Sequence, residues 1–203
     1  MFRIEVCEER RRRSVASGIR IARVIDVALV VVALLGGASG SARAQGYPFS
    51  QRGSVTQNVA HTEIAVEYGR PVARGRALFG QLVPWDSIWH PGADSATRIA
   101  INHPVQIEGR EVKAGEYSLW LIPRATRPWT VILSRAAHTF HKPYPGDAND
   151  AYRFEVTPEK GSHMESMAIY FPSVVRADAV MRIHWGETIV PLKISAPYRP
   201  IAP

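Results

Sequence analysis

The chain has 203 residues, with 25 lysines and arginines against 18 acidic residues, which gives a net charge of +7. Residues 1–44 hold eight of the arginines and four of the acids, so +4 of this charge lies there and only +3 in the rest of the chain. Because no basic run follows Arg43, the charge does not indicate nucleic-acid binding. The single cysteine, Cys7, leaves residues 45–203 without disulfides or a cysteine-based zinc site.

Residues 1–44 have the pattern of a cleaved secretory signal. A basic segment at 10–13 precedes an apolar run at 27–35, and Ala42-Arg43-Ala44 fits a cleavage site that leaves Gln45 as the new N-terminus. The apolar run is much shorter than the roughly 20 residues that a spanning helix needs. We therefore expect an exported protein, periplasmic or secreted, with no membrane span in the mature chain.

The mature chain has the period-two pattern of half-buried strands. After a mobile leader at 45–53, residues 62–68 place Ile64, Val66 and Tyr68 on one face and glutamates near the other. Similar alternation recurs at 97–102, 105–112, 116–122, 129–134, 152–156, 167–171, 181–185 and 190–194. We expect a hairpin turn at 108–110, another at 185–188, and an edge or bulge at Pro191.

No segment has a sustained helical period, and the best short helix is at 77–82. About ten short strands with frequent turns predict an all-β fold, an antiparallel β-sandwich that is jelly-roll-like or a distorted barrel. It has one long ordered loop and at most a short helix. The sandwich is a single domain over residues 54–196, followed by a proline-rich tail at 197–203.

The stretch 68–97 interrupts the strand pattern with three prolines, several glycines and the aromatic residues Phe79, Trp85 and Trp89. A loop of this length in a compact domain is usually functional or disordered, and the aromatic content argues against disorder. Two interpretations stay open. The loop either forms a binding site or only covers the sheet, with Arg70 and Arg76 satisfying backbone carbonyls or pairing with Asp86 and Asp94. Trp120 faces away from Leu119 and Leu121, so we expect this loop to cover the outer sheet face.

The motifs of this stretch resemble the bacterial DUF2911 family, a domain of unknown function. They are Tyr68-Gly-Arg-Pro, Gly75-Arg76-x-x-Phe79-Gly80-x-Leu82-Val83-Pro84-Trp85 and Ile88-Trp89-x-x-Gly92-Ala93-Asp94. The resemblance continues through Ala114-Gly115-Glu116-Tyr117 and covers nearly all of the mature chain. It implies a mostly exported all-β domain without an established activity. Relatives often carry arginine at position 90 and asparagine at 94, so a ligand held there in the family would meet different groups here.

The candidate ligand-binding residues come from two loops. The planar guanidinium group of arginine is suited to bind a carboxylate or phosphate. A tryptophan offers a flat apolar surface. A histidine with an aspartate can form a hydrogen-bonding or proton-transfer pair. The second loop, 135–150, adds two histidines and a tyrosine. The candidates are Arg70, Arg76, Trp89, His90, Asp94, His138, His141 and Tyr144.

Three functions stay open. The first is non-enzymatic binding of a small polar ligand or an envelope protein. The second is hydrolysis of a glycan or ester with His90 or His141 as general base. The third is a purely structural or assembly role. We assign no catalytic residue, because no G-x-S-x-G motif or singled-out carboxylate pair is present. We expect no metal or cofactor, since the spacing of the two loop histidines matches no metal motif. The remaining histidines, including His184 on an outward strand position, receive no role.

Overall fold

The computed structural model describes residues 49–197, which lie within one compact unit. Ten strands form two antiparallel sheets that do not close into a barrel. The strands are β1 (Gln51–Val59), β2 (Thr62–Arg70), β3 (Arg98–Ile101), β4 (Val105–Ile107), β5 (Arg110–Val112), β6 (Gly115–Ile122), β7 (Trp129–Ser134), β8 (Asp150–Val156), β9 (Glu159–Val175) and β10 (Asp178–Ser195). The predicted all-β sandwich is confirmed.

The larger sheet has the order β1-β2-β3-β6-β7-β8, and the smaller has the order β5-β4-β10-β9. One apolar cluster takes side chains from both sheets, among them Ile64 and Val66 of β2 and Met181 and Ile183 of β10. The alternation predicted for β2 is therefore confirmed, since Glu63 and Glu67 are exposed while Ile64, Val66 and Tyr68 are buried. The hairpin between β4 and β5 also turns at Glu108 and Gly109, both with positive φ.

The centre of the larger sheet is buried on both faces. Every residue of β7 is buried, and so are Ser118 and Trp120, which alternate with the inward residues of β6. Ala96, Trp120 and Ile132 form a second small core, with Tyr144 packed against it. The expected cover of the outer face is thus present, and it comes from both loops.

The predicted turn at 185–188 is wrong. β10 runs without a break from Asp178 to Ser195, and Gly186, with a φ of 59°, lies at shifts in its register with β9. A glycine with positive φ serves a bulge as well as a turn, so the local pattern does not distinguish them. Pro191 lies beyond the residues paired with β9 and before those paired with β4, which agrees with the expected irregularity.

The outward position predicted for His184 is also wrong. The side chain is buried, with Nδ1 at 3.2 Å from the Tyr170 hydroxyl and Nε2 at 2.9 Å from the carbonyl oxygen of Ser162. The extra residues that β9 carries opposite Gly186 bring Ser162 over this face.

The predicted short helix at 77–82 is absent. The segment turns instead through bonds from Leu82 N to Ala77 O and from Val83 N to Leu78 O. Gly80 has a φ of 85°, and a Cβ there would lie 2.3 Å from Nε1 of Trp85, so the chain must bend sharply beneath that indole. Within residues 49–197 the one helical turn is Asp147–Asn149.

β1 begins at Gln51, within the residues predicted as a leader before the domain. The expected signal at 1–44 lies outside the described residues, as does the tail from residue 198 onward. Among residues 49–197, no helix has the length and hydrophobicity needed to cross a membrane.

Candidate functional site

The long loop leaves β2 along the edge of β9. Ala73 N donates to Glu165 O, and Met167 N donates to Pro71 O. Gly69, at the end of β2, is where the returning part of the loop comes closest, since a Cβ there would lie 2.2 Å from the carbonyl oxygen of Ala93. The first and last parts of the loop are therefore held against the sandwich by backbone contacts.

Aromatic side chains anchor the middle of the loop. The Phe79 ring lies 4.8 Å from Trp129 of β7, 5.8 Å from Trp89 and 6.2 Å from Trp185 of β10, and Trp85 stacks on its outer side. Trp89 also stacks on Trp185 at 5.9 Å. This aromatic cluster (Phe79, Trp85, Trp89, Trp129 and Trp185) joins the loop to both sheets, so the loop is an ordered part of the core.

Beyond the aromatic cluster the loop crosses to the outer face of the larger sheet. Trp89 N donates to Leu121 O, and Leu121 N donates back to Trp89 O, at 2.8 and 2.7 Å. This pair of bonds extends the sheet by one residue beside β6. His90 then lies directly over Trp120, with the two rings 5.7 Å apart and edge to face.

The second loop is joined to the first by backbone hydrogen bonds. Ala96 N donates to Thr139 O at 3.0 Å, and His141 N donates to Asp94 O at 3.1 Å. Asp94 itself has a φ of 62°. Aspartate and asparagine adopt this left-handed conformation more readily than other residues with a side chain. The two loops thus form a single wall above Trp120.

Between the joined loops lies a cavity of about 330 Å³. This size lies at the lower end of the range for small-molecule sites. Five of the predicted binding residues, Trp89, His90, Asp94, His141 and Tyr144, line it together. The other lining residues are Ile88, Gly92, Ala93, Trp120 and Lys142. We call this space the His90 cavity.

His90 is the most unusual group of the cavity wall. The side chain is 95% buried, and its Nδ1 has no hydrogen-bond partner within residues 49–197. Burial, with a smaller contribution from the charge of His141, lowers the pKa of His90 to about 4. The imidazole is therefore neutral near pH 7, with one donor nitrogen and one acceptor nitrogen. A buried polar group without a partner costs about 1–3 kcal/mol and calls for an explanation.

The other walls are held by contacts outside the cavity. Nδ1 of His141 donates to the backbone oxygen of Asp94 at 3.1 Å, and its ring stacks on His90 at 5.9 Å. The Tyr144 hydroxyl donates to the Asp150 carboxylate, and burial together with that bond raises the pKa of Tyr144. Its ring packs edge to face on Trp120. These contacts fix the orientations of the aromatic side chains in the cavity wall.

The sequence profile of a family described as "Protein of unknown function (DUF2911)" matches residues 50–194. The chain belongs to the DUF2911 family. No curated protein and no solved structure matches it. The family match begins after the expected signal and includes both loops, so the His90 cavity is built within the DUF2911 domain.

Three of the predicted site residues lie outside the cavity of this DUF2911 domain. Arg70 Nε donates to Met167 O at 3.0 Å, and Arg76 donates from Nε and Nη2 to the carbonyl oxygens of Ala73 and Val72. Both arginines therefore hold the path of the loop. His138 is exposed, with its Nε2 at 2.9 Å from the Glu116 carboxylate, and lines a separate open cleft.

Sequence reasoning missed the remaining cavity residues for different reasons. The alternation of β6 already marked Trp120 as a residue of the outer face, but not as the floor of a cavity. The local sequence does not mark Lys142 as a cavity residue, because a single lysine in a loop is usually an ordinary solvent-exposed charge. Gly92 is needed for close approach, since a Cβ there would lie 2.7 Å from Oγ1 of Thr97 and 3.0 Å from Nδ1 of His90.

The described residues contain no group of three or more histidine, cysteine, aspartate or glutamate side chains placed to hold a metal ion. The acids near the second loop have other partners, since Arg153 pairs with both Asp147 and Asp150. The chemistry available to the cavity is thus hydrogen bonding by imidazole, aromatic contact, and one charge of each sign on Asp94 and Lys142.

Proposed function

We propose that this DUF2911 domain binds a small polar organic molecule in the His90 cavity. The observation that carries the proposal is the buried, neutral His90, which lines a cavity of about 330 Å³ and has no hydrogen-bond partner for either ring nitrogen within residues 49–197. A polar group in a largely aromatic cavity is the usual means by which a site fixes the orientation of a small ligand.

The arrangement of His90 indicates which of its atoms meets the ligand. The Nδ1–Cε1 edge of the ring lies close to Gly92. Since Nδ1 finds no acceptor there, the single proton of the neutral ring is favoured on Nε2. The ligand then accepts a hydrogen bond from Nε2, and it packs its apolar part on the partly exposed rings of His141 and Tyr144.

The same features support binding in preference to general-base catalysis. A base works best when its pKa lies near the working pH, and that of His90 is about 4. This argument favours a protein that holds its ligand without transforming it.

The test is a fragment screen monitored by the histidine ring resonances of the purified protein in NMR spectra. Binders should shift the signals of His90 and His141 and leave His61, which is exposed on a turn, unchanged. His141→Ala should weaken every binder, whereas His61→Ala should weaken none. If a chemically diverse library of sugars, organic acids and heterocycles moves no resonance of His90 or His141, the proposed function is wrong.

We also propose that the protein works outside the cytoplasm, after removal of residues 1–44. The support is the signal pattern together with a family match that starts only at residue 50. Intact-mass measurement of protein recovered from the cell envelope should give a chain that begins at Gln45. Recovery of a chain that still contains residues 1–44, from the cytoplasm only, would contradict export.

A further inference from the structure

Two opposite charges line the His90 cavity and have no partner in the part of the chain that is described. Asp94 and Lys142 are both exposed lining residues. Neither the Asp94 carboxylate nor the Lys142 ammonium forms a hydrogen bond or ion pair within residues 49–197. Elsewhere on the same face the charges are paired, as in Glu116 with Arg98 and Asp150 with Arg153.

The backbone brings the two residues that carry these charges close together. The hydrogen bond from His141 N to Asp94 O places Asp94 opposite the residue that directly precedes Lys142. Neighbours of this kind on two joined segments are well placed for a salt bridge, yet no nitrogen–oxygen contact within 4 Å joins them. Both charged groups therefore keep their bonding capacity at the cavity.

The interior below them is apolar and aromatic. Trp120 is almost fully buried and forms the floor, with Tyr144 and His90 packed edge to face on it. Aromatic rings favour such edge-to-face contacts with further rings. The cavity thus combines one positive charge, one negative charge and an aromatic interior.

From this combination we propose that the ligand is a small zwitterion with an aromatic body, a description that free aromatic amino acids fit. Lys142 binds its carboxylate, Asp94 binds its ammonium group, and the ring lies against the partly exposed rings of His141 and Tyr144. The inference rests on the proposed function, since it names the chemical class that the His90 cavity takes.

Calorimetric titration with three matched probes tests this class. L-phenylalanine carries both charges, 3-phenylpropionate lacks the ammonium group, and 2-phenylethylamine lacks the carboxylate. We expect L-phenylalanine to bind about tenfold more tightly than either of the other two, because charged hydrogen bonds are the stronger ones. Asp94→Asn should remove the advantage over 3-phenylpropionate, and Lys142→Gln the advantage over 2-phenylethylamine.

The controls replace exposed charges outside the cavity. Asp178→Asn and Lys113→Gln remove the same charges from positions that do not line it, and they should leave all three affinities unchanged. If either singly charged probe binds as tightly as L-phenylalanine, the zwitterion class is wrong while binding in the cavity stands. If none of the three probes binds, the zwitterion class is also wrong, and the fragment screen decides separately whether the cavity takes another ligand.

Discussion

At the scale of single residues, His90 couples the stability of the domain to pH. The folded protein holds its imidazole in a buried site with a pKa of about 4, whereas an unfolded chain exposes it with a pKa near 6.5. Between these two values the unfolded state binds the proton more readily. The contribution of His90 is therefore fully present above about pH 6.5 and is lost as the pH falls towards about 4.

We expect this loss to amount to about 3 kcal/mol of unfolding free energy, from the separation of the two pKa values. His90→Gln should flatten the dependence of stability on pH across this interval, as measured by urea unfolding at a series of pH values. His61→Gln, at an exposed turn, should keep the wild-type slope. An unchanged slope in the His90 variant would show that the buried imidazole is not the group responsible.

Gly69 is a second residue with a clear structural requirement, because one backbone contact leaves no room for a side chain there. A methyl group at this position would lie 2.2 Å from the backbone oxygen of Ala93, which cannot rotate away as a side chain can. Gly69→Ala should cost about 3 kcal/mol of stability in chemical denaturation, because overpacking forces the backbone to move. The matched control is Gly53→Ala on the neighbouring strand, where the nearest atom belongs to the flexible Arg70 side chain. Equal losses in the two variants would contradict this account.

At the scale of elements, the long loop depends on its aromatic cluster. Phe79 contacts four other rings that belong to the loop and to both sheets. The sequence already indicated an ordered loop from its aromatic content. It did not indicate which rings meet, because the contacts with Trp129 and Trp185 join positions far apart in the chain.

Removal of the central ring should therefore loosen the loop. We expect Phe79→Ala to cost about 3 kcal/mol of stability, the lower end for a buried phenylalanine, and to increase the exposure of the tryptophans in fluorescence spectra. Phe140→Ala removes the same side chain from an exposed site and should cost less than about 1 kcal/mol. A similar loss of stability in both variants would mean that the cluster does not anchor the loop.

The strands show which features local patterns can predict. The inward set of β2 is readable because alternation is a property of adjacent residues. The course of β10 cannot be predicted from local sequence in this way. Gly186 permits either a turn or a bulge, and only the pairing with β9 decides between them. For Arg70 and Arg76 the sequence offered two roles, ligand binding or bonds that hold the loop, and it did not decide between them. Their carbonyl partners come into reach only once the loop has taken its three-dimensional path.

At the scale of the whole molecule, the backbone amides that are best protected from solvent lie in the middle of the larger sheet. β7 is paired on both sides, by β6 and β8, and buried on both faces. The end of β9, residues 171–175, is instead largely exposed at the edge of the smaller sheet. The two faces of β7 are covered by different structures, the opposite sheet on one side and the joined loops on the other.

Native-state hydrogen exchange should reproduce this gradient. The amides of β7 should exchange most slowly, and those of residues 173–175 roughly a hundredfold faster or more, because local opening there disrupts few buried contacts. Lys193→Gln, at an exposed position, should leave the gradient unchanged. Rapid exchange throughout β7 would mean that the loops do not shield the outer face.

Two main-chain hydrogen bonds join the two loops, between Ala96 and Thr139 and between His141 and Asp94, and the His141 ring adds one side-chain bond. The scaffold of the cavity is thus largely independent of which side chains project from it. Under the proposed function, single substitutions at the cavity wall can change which ligand is bound while the fold of the sandwich stays the same. The same independence makes the domain a practical starting point for laboratory redesign of a small-molecule sensor.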